Sequence, residues 1–132
     1  MPLKATAHVE AMSAFALANE DILLLAEHAG EMLADIKAAW HAAAAPKSYS
    51  SWREESWVWM RLSGPRLAEA MSALCALDMR PQKLGADDIA QTRVGHIEAM
   101  MFYSPAGFDI LFDIAASAYF ARAVAAVARH TA

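Results

Sequence analysis

The chain has 132 residues, with 11 Lys and Arg against 15 Asp and Glu, a formal net charge of −4 and a hydrophobic fraction of 58%. That length suits a single domain over 1–132, and the apolar content excludes a disordered chain. The cations are scattered from Lys4 to Arg129, so neither a nucleic-acid surface nor a polybasic membrane patch is expected, because both need clustered Lys and Arg against phosphate.

The dominant period is helical. Phe15, Ala18, Ile22, Leu25, Ala29, Met32, Ile36, Ala39 and Ala43 recur at alternating steps of three and four, the spacing of a heptad seam. Residues 5–45 therefore read as one long helix, or as two helices broken near Asn19, which could cap the second. Pro46 ends either version. Ser51 followed by Glu54 fits a capping box, so a helix is expected from Trp52. Gly64-Pro65 either kinks that helix or starts a new one, whose stripe is Leu67, Met71 and Leu74 with Cys75 or Leu77. Arg80-Pro81 stops it. Ala90, Val94, Ile97 and Met101 form the next stripe, weakened by Gly95. Ser104-Pro105 reads as N-cap and first helical position, opening a last helix to about Arg129. No stretch sustains period-2 alternation. The fold class expected is all-α: a helical bundle of four to five helices with a long N-terminal helix or helix pair, and no sheet.

Metal chemistry finds no motif. A di-iron bundle needs paired Glu-x-x-His steps, and the residues three after each Glu are Ser13, Leu23, Gly30, Ala34, Trp57, Val58, Ser72 and Met101. Glu27 with Glu31, and Asp109 with Asp113, stand four apart and read as solvated acidic helix faces. No cofactor and no metal site are expected. His96, followed by Met100, Met101, Phe102 and Tyr103, suggests an alternative, a haem or small-molecule pocket near Trp59, Met60, His96, Met100 and Tyr103. Against it, a lone helical His is more often a satisfied surface residue.

Nucleophilic catalysis has little support. Cys75 lies on an apolar stripe, and no Gly-x-Ser-x-Gly turn is present. An uncharacterised enzyme stays open as a further alternative, without a mechanism and without catalytic residues. The lone cysteine permits no intrachain disulfide, and no signal peptide or transmembrane span is legible: Asp113 and Arg122 interrupt the apolar stretch 110–127. A cytoplasmic location is expected.

Trp40, Trp52, Trp57 and Trp59 lie within twenty residues of one another. On one helix Trp52 and Trp59 would share a face and Trp57 would not. Core packing is the plain reading; an apolar recognition surface is the other. Eight Met add deformable apolar area.

The chain resembles the phasins, small helical proteins that coat polyhydroxyalkanoate granules. The likeness lies in the Ala/Leu/Glu-rich 19–36, in 52–77 with Arg61, Arg66 and the run Leu74-Cys75-Ala76-Leu77, and in Pro81 with Gln91. It implies a structural, non-enzymatic protein on an apolar surface. From the residues themselves, the apolar inventory exceeds what one small domain readily hides. The function expected is thus a non-enzymatic helical protein that associates through apolar faces. Its partner would be itself, as a homo-oligomer, or an apolar granule or protein, through Trp52, Trp57, Trp59, Phe108, Leu111, Phe112 and Tyr119.

Overall fold

A computed structural model describes residues 3–9, 12–18, 21–27, 30–43, 51, 53, 55–105 and 107–131. Strands occupy most of the segments whose spacing reads as helix. In chain order they are β1 (Leu3–Val9), β2 (Met12–Ala16), β3 (Ile22–Ala26), α1 (Glu31–Ala43), β4 (Trp57–Leu62), α2 (Leu67–Leu74), β5 (Asp88–Val94), β6 (Ile97–Ser104), β7 (Gly107–Asp113), a 3₁₀ turn (Ile114–Ala116) and α3 (Ser117–Thr131). This mixed architecture corrects the all-α helical bundle: the long N-terminal helix is three strands followed by α1. The proposed cap Asn19, the stop at Pro46 and the helix start at Trp52 lie outside the described residues.

All the paired strands are antiparallel, in the order β3-β2-β1-β5-β6-β7-β4. The β1–β2–β3 and β5–β6–β7–β4 ladders form two sheets joined through β1, whose first residues pair with β5 (Leu3 with Ile89) and whose later ones pair with β2.

The period of two sorts each strand onto two faces. One face carries Val58, Met60 and Leu62 from β4, Ala90 and Val94 from β5, Ala99 and Met101 from β6, and Phe108, Ile110 and Phe112 from β7. Against it pack Leu67, Met71 and Leu74 of α2 and Phe120 and Val124 of α3, with the Phe112 and Phe120 rings 4.7 Å apart. The other face carries Trp57, Trp59, Ile89, Met100, Phe102 and Leu111, and is covered by Phe15, Leu17, Leu23 and Leu25 of the β2–β3 hairpin. Phe15 lies against Phe102 with centroids 4.5 Å apart.

Two-sided burial explains why the strands escape a period search. Trp57-Val58-Trp59-Met60 and Ile110-Leu111-Phe112 are apolar on both faces, so they show no polar alternation and read equally well as one turn of a buried helix. Where polar residues do appear on β7, Asp109 and Asp113 are four apart. That interval is even, so the pair shares a strand face as readily as a helix face.

Turns punctuate the ladder where their residues require it. Gly95 and His96 have φ of 54° and 72°, the positive values a two-residue hairpin turn needs between β5 and β6. Gly95 N–H also donates to the Leu74 carbonyl at 2.7 Å, tying this hairpin to the end of α2. Gly64-Pro65 lies in the turn between β4 and α2, which settles the choice between kink and restart in favour of a new helix. The Leu67, Met71, Leu74 stripe faces the core as its spacing implies. Ser104-Pro105 is a strand connection instead of a helix start, and the last helix begins at Ser117. Asp113 caps the 3₁₀ turn that leads into it, its Oδ1 accepting the Ala115 N–H at 2.8 Å.

Candidate association surface

The least ordinary polar group among the described residues is Asp109, an acidic side chain at 0% exposure. It sits mid-β7 on the face that also carries Trp59 and Arg61 of β4, and the register sets Arg61 directly opposite it. Trp59 Nε1 donates to Asp109 Oδ2 at 2.8 Å; Arg61 Nε and Nη2 donate to the two carboxylate oxygens at 2.8 and 2.9 Å; Ser104 Oγ lies 3.2 Å from Oδ1. The Arg61 side chain keeps 36% of its surface and reaches Glu27, just past β3, at 3.9 Å. Its guanidinium is also 5.6 Å from the Trp59 ring. The hydrogen bond to Asp109 raises the Arg61 pKa above its ordinary value, against a smaller opposing effect of burial.

Chemically this cluster is closed. All its carboxylate hydrogen-bonding capacity is directed at groups of the same chain, and Arg61 stands between two carboxylates, which leaves a net negative neighbourhood unsuited to an anion. The cluster therefore holds β4 and the end of β6 against β7, while the exposed contact of Arg61 with Glu27 adds little. Among the described residues, no three His, Cys, Asp or Glu side chains gather as a metal would require.

The residues proposed for a small-molecule pocket do not converge. Trp59 and Met100 belong to one face of the sheet, Met60 and Tyr103 to the other, and His96 is exposed at the hairpin tip. Tyr103 is engaged inside the fold: its hydroxyl donates to the Met79 carbonyl at 2.5 Å, and burial raises its pKa. A cleft of about 300 Å³ lies elsewhere, lined by Leu62 of β4, Leu67, Met71 and Leu74 of α2, and Val124 and Val127 of α3.

The residues proposed for an interface divide as well. Phe108, Leu111 and Phe112 are buried in the core, Trp57 and Trp59 are partly buried on the inner face, and Tyr119 is exposed on α3. Trp52 lies outside the described residues. Among the described residues the exposed large apolar side chains are Leu77, Ile114 and Tyr119 and, on β3 and α1, Ile22, Leu24 and Trp40. On β3, Leu23 and Leu25 point inward, while Ile22 remains 60% and Leu24 37% exposed. On α1, Met32, Ile36 and Trp40 recur every fourth residue with Leu33 beside them, the stripe of a helix made to be covered. Yet none of its 13 residues is buried, and Trp40 is 43% exposed. The seam spacing includes Ile22, Met32 and Ile36; of these Ile22 is exposed, whereas Met32 and Ile36 are partly buried.

No family model, curated protein or solved structure gives a significant match to this chain. Among the described residues no helix is long and apolar enough to cross a membrane.

Proposed function

We propose that the chain is a non-catalytic association module that docks through the apolar surface of β3 and α1, onto a second copy of itself or another apolar surface. The observation that supports this is α1: a helix of 13 residues with an apolar stripe and no buried position. Short helices gain most of their stability from packing rather than propensity, and a stripe left only partly covered, with Trp40 exposed at its end, is the kind of surface that marks an interaction site. The polar cluster at Asp109 adds no reaction centre, since its donors and acceptors satisfy one another. A granule coat, as the phasin resemblance implies, would use the same surface.

The test compares the unmodified chain with the double variant Ile36→Glu/Trp40→Glu. Light scattering over a concentration series should show a species larger than the monomer, or an octyl-coated support should retain the protein, and the variant should lose that behaviour. A chain that stays monomeric at every concentration and elutes from the octyl support with the variant would overturn the proposal.

A further inference from the structure

The two edges of the sheet order are β3 and β4, and they are protected unequally. Edge strands expose unpaired N–H and C=O groups, which proteins ordinarily guard with Lys, Pro, a bulge or an inward-pointing charge. On β4, Arg61 supplies an inward charge. On β3, the sequence Ile22-Leu23-Leu24-Leu25-Ala26 supplies none of these, and its register against β2 runs without a bulge.

The hydrogen-bond phase of this hairpin is fixed by its end. Leu17 N–H donates to the Asp21 carbonyl at 2.8 Å, which makes that couple a bonded pair in a ladder that continues as Ala16 with Ile22, Phe15 with Leu23 and Ala14 with Leu24. Bonded and non-bonded pairs alternate in an antiparallel ladder. Leu23 and Leu25 therefore spend their backbone groups on β2, while Ile22, Leu24 and Ala26 turn theirs outward. The same alternation leaves the Ile22 and Leu24 side chains exposed. Backbone capacity and apolar side chains thus coincide on one open edge; among the described residues, no strand pairs with it.

Charge decides what could lie there. Asp21 and Glu27 bracket the strand. Arg61 approaches Glu27 at 3.9 Å, but its charge is already matched by Asp109 at 2.8 Å. A second copy pairing antiparallel about Leu24 would set Asp21 against Glu27 at both ends, and a parallel copy would set each acid against itself. Like charges directly opposite are destabilising in a sheet.

We infer that the open edge of β3 is a docking site for an extended apolar segment of a different protein, one carrying Lys or Arg at both ends to face Asp21 and Glu27. Binding adds a strand to the sheet: main-chain bonds give affinity, and the flanking cations give selectivity. The inference rests on the association reading and narrows it to one surface and one kind of partner.

The probes are two blocked peptides, Lys-Val-Thr-Val-Thr-Val-Lys and Glu-Val-Thr-Val-Thr-Val-Glu, added to the full chain at low salt. The lysine peptide should slow amide exchange at Ile22 and Leu24 without changing Leu23 or Leu25, and should bind about tenfold more tightly than the glutamate peptide, a margin that shrinks with added salt. Leu24→Pro removes an outward N–H that the ladder with β2 does not use, and should abolish peptide binding while the octyl retention that depends on Ile36 and Trp40 of α1 remains. Ile36→Glu/Trp40→Glu should do the reverse, so failure of this site and failure of the general association reading are separable. The inference is overturned if the Ile22 and Leu24 amides are not slowed, or if the glutamate peptide binds equally well. Slowing that appears with rising protein concentration alone would assign the edge to a second copy and overturn it too. Exchange on the unmodified chain decides the matter even if Leu24→Pro does not fold.

Discussion

Replacing Arg61 by Met tests the claim that Asp109 is a fixed, buried charge and not an ordinary surface partner. Met keeps the apolar stem that covers Trp59 and removes two of the hydrogen bonds that Asp109 receives, at 2.8 and 2.9 Å, leaving Trp59 Nε1 and Ser104 Oγ. Removing one partner of a buried pair costs about 3–5 kcal/mol. Arg61 itself keeps 36% of its side-chain surface, so its own share is screened by solvent and the lower end, about 3 kcal/mol, is expected. Asp109→Leu should cost about 2 kcal/mol, because Arg61 can turn to water while Trp59 Nε1 loses its acceptor. The double variant Arg61→Met/Asp109→Leu leaves no charge behind and should lie within about 2 kcal/mol of the unmodified chain. The coupling energy of the cycle is then at least about 3 kcal/mol in magnitude. Urea unfolding followed by tryptophan fluorescence reads all four stabilities, with unchanged m-values as the control for a two-state comparison. If Arg61→Met costs less than about 1 kcal/mol, the pair behaves as a screened surface pair and the reasoning fails.

Gly107→Ala should be costly, because a Cβ there would lie 2.7 Å from the Leu62 carbonyl oxygen. Backbone must move to admit it, and a loss of about 2–3 kcal/mol in urea unfolding is expected. Asp113→Ala removes the acceptor for Ala115 N–H in the 3₁₀ turn that leads into α3 and should cost about 1 kcal/mol, with faster amide exchange at Ala115 and Ala116. Asp78, hydrogen-bonded by Arg80, has its pKa lowered from 3.8 to about 2. A lowered folded value favours the fold above the ordinary pKa, and that contribution is lost as pH falls through about 2. In a carboxyl-carbon NMR titration, Arg80→Gln should return the Asp78 midpoint toward 3.8.

Part of the local punctuation was legible before the fold. The Leu67, Met71, Leu74 stripe is a core-facing helix as its spacing implies; Gly64-Pro65, open between a kink and a new helix, lies in a turn, and the closing helix expected from about Pro105 begins only at Ser117, after β7. The strands were not legible, for a reason specific to them: β4, β6 and β7 are covered on both faces, so the polar half of their alternation is missing. Chance even intervals completed the helical reading. Glu27 and Glu31, four apart, fall on either side of the β3–α1 boundary, and Asp109 and Asp113 share a strand face. The proposed pocket failed to assemble on the same account. Neighbours such as Trp59 and Met60, which a helix would keep on adjoining faces, are sent to opposite sides of the sheet.

The sequence by itself determined the apolar surplus, the net negative charge and the places where the chain must turn, because these depend on side-chain chemistry and on backbone freedom within a few residues. Tertiary structure alone decided that Asp109 is buried and satisfied by residues some fifty positions away. It also decided that Phe108, Leu111 and Phe112 lie inside while Ile22, Leu24 and Trp40 lie outside. Burial is a property of what packs on the far side of a strand or helix, and that neighbour comes from a distant part of the chain.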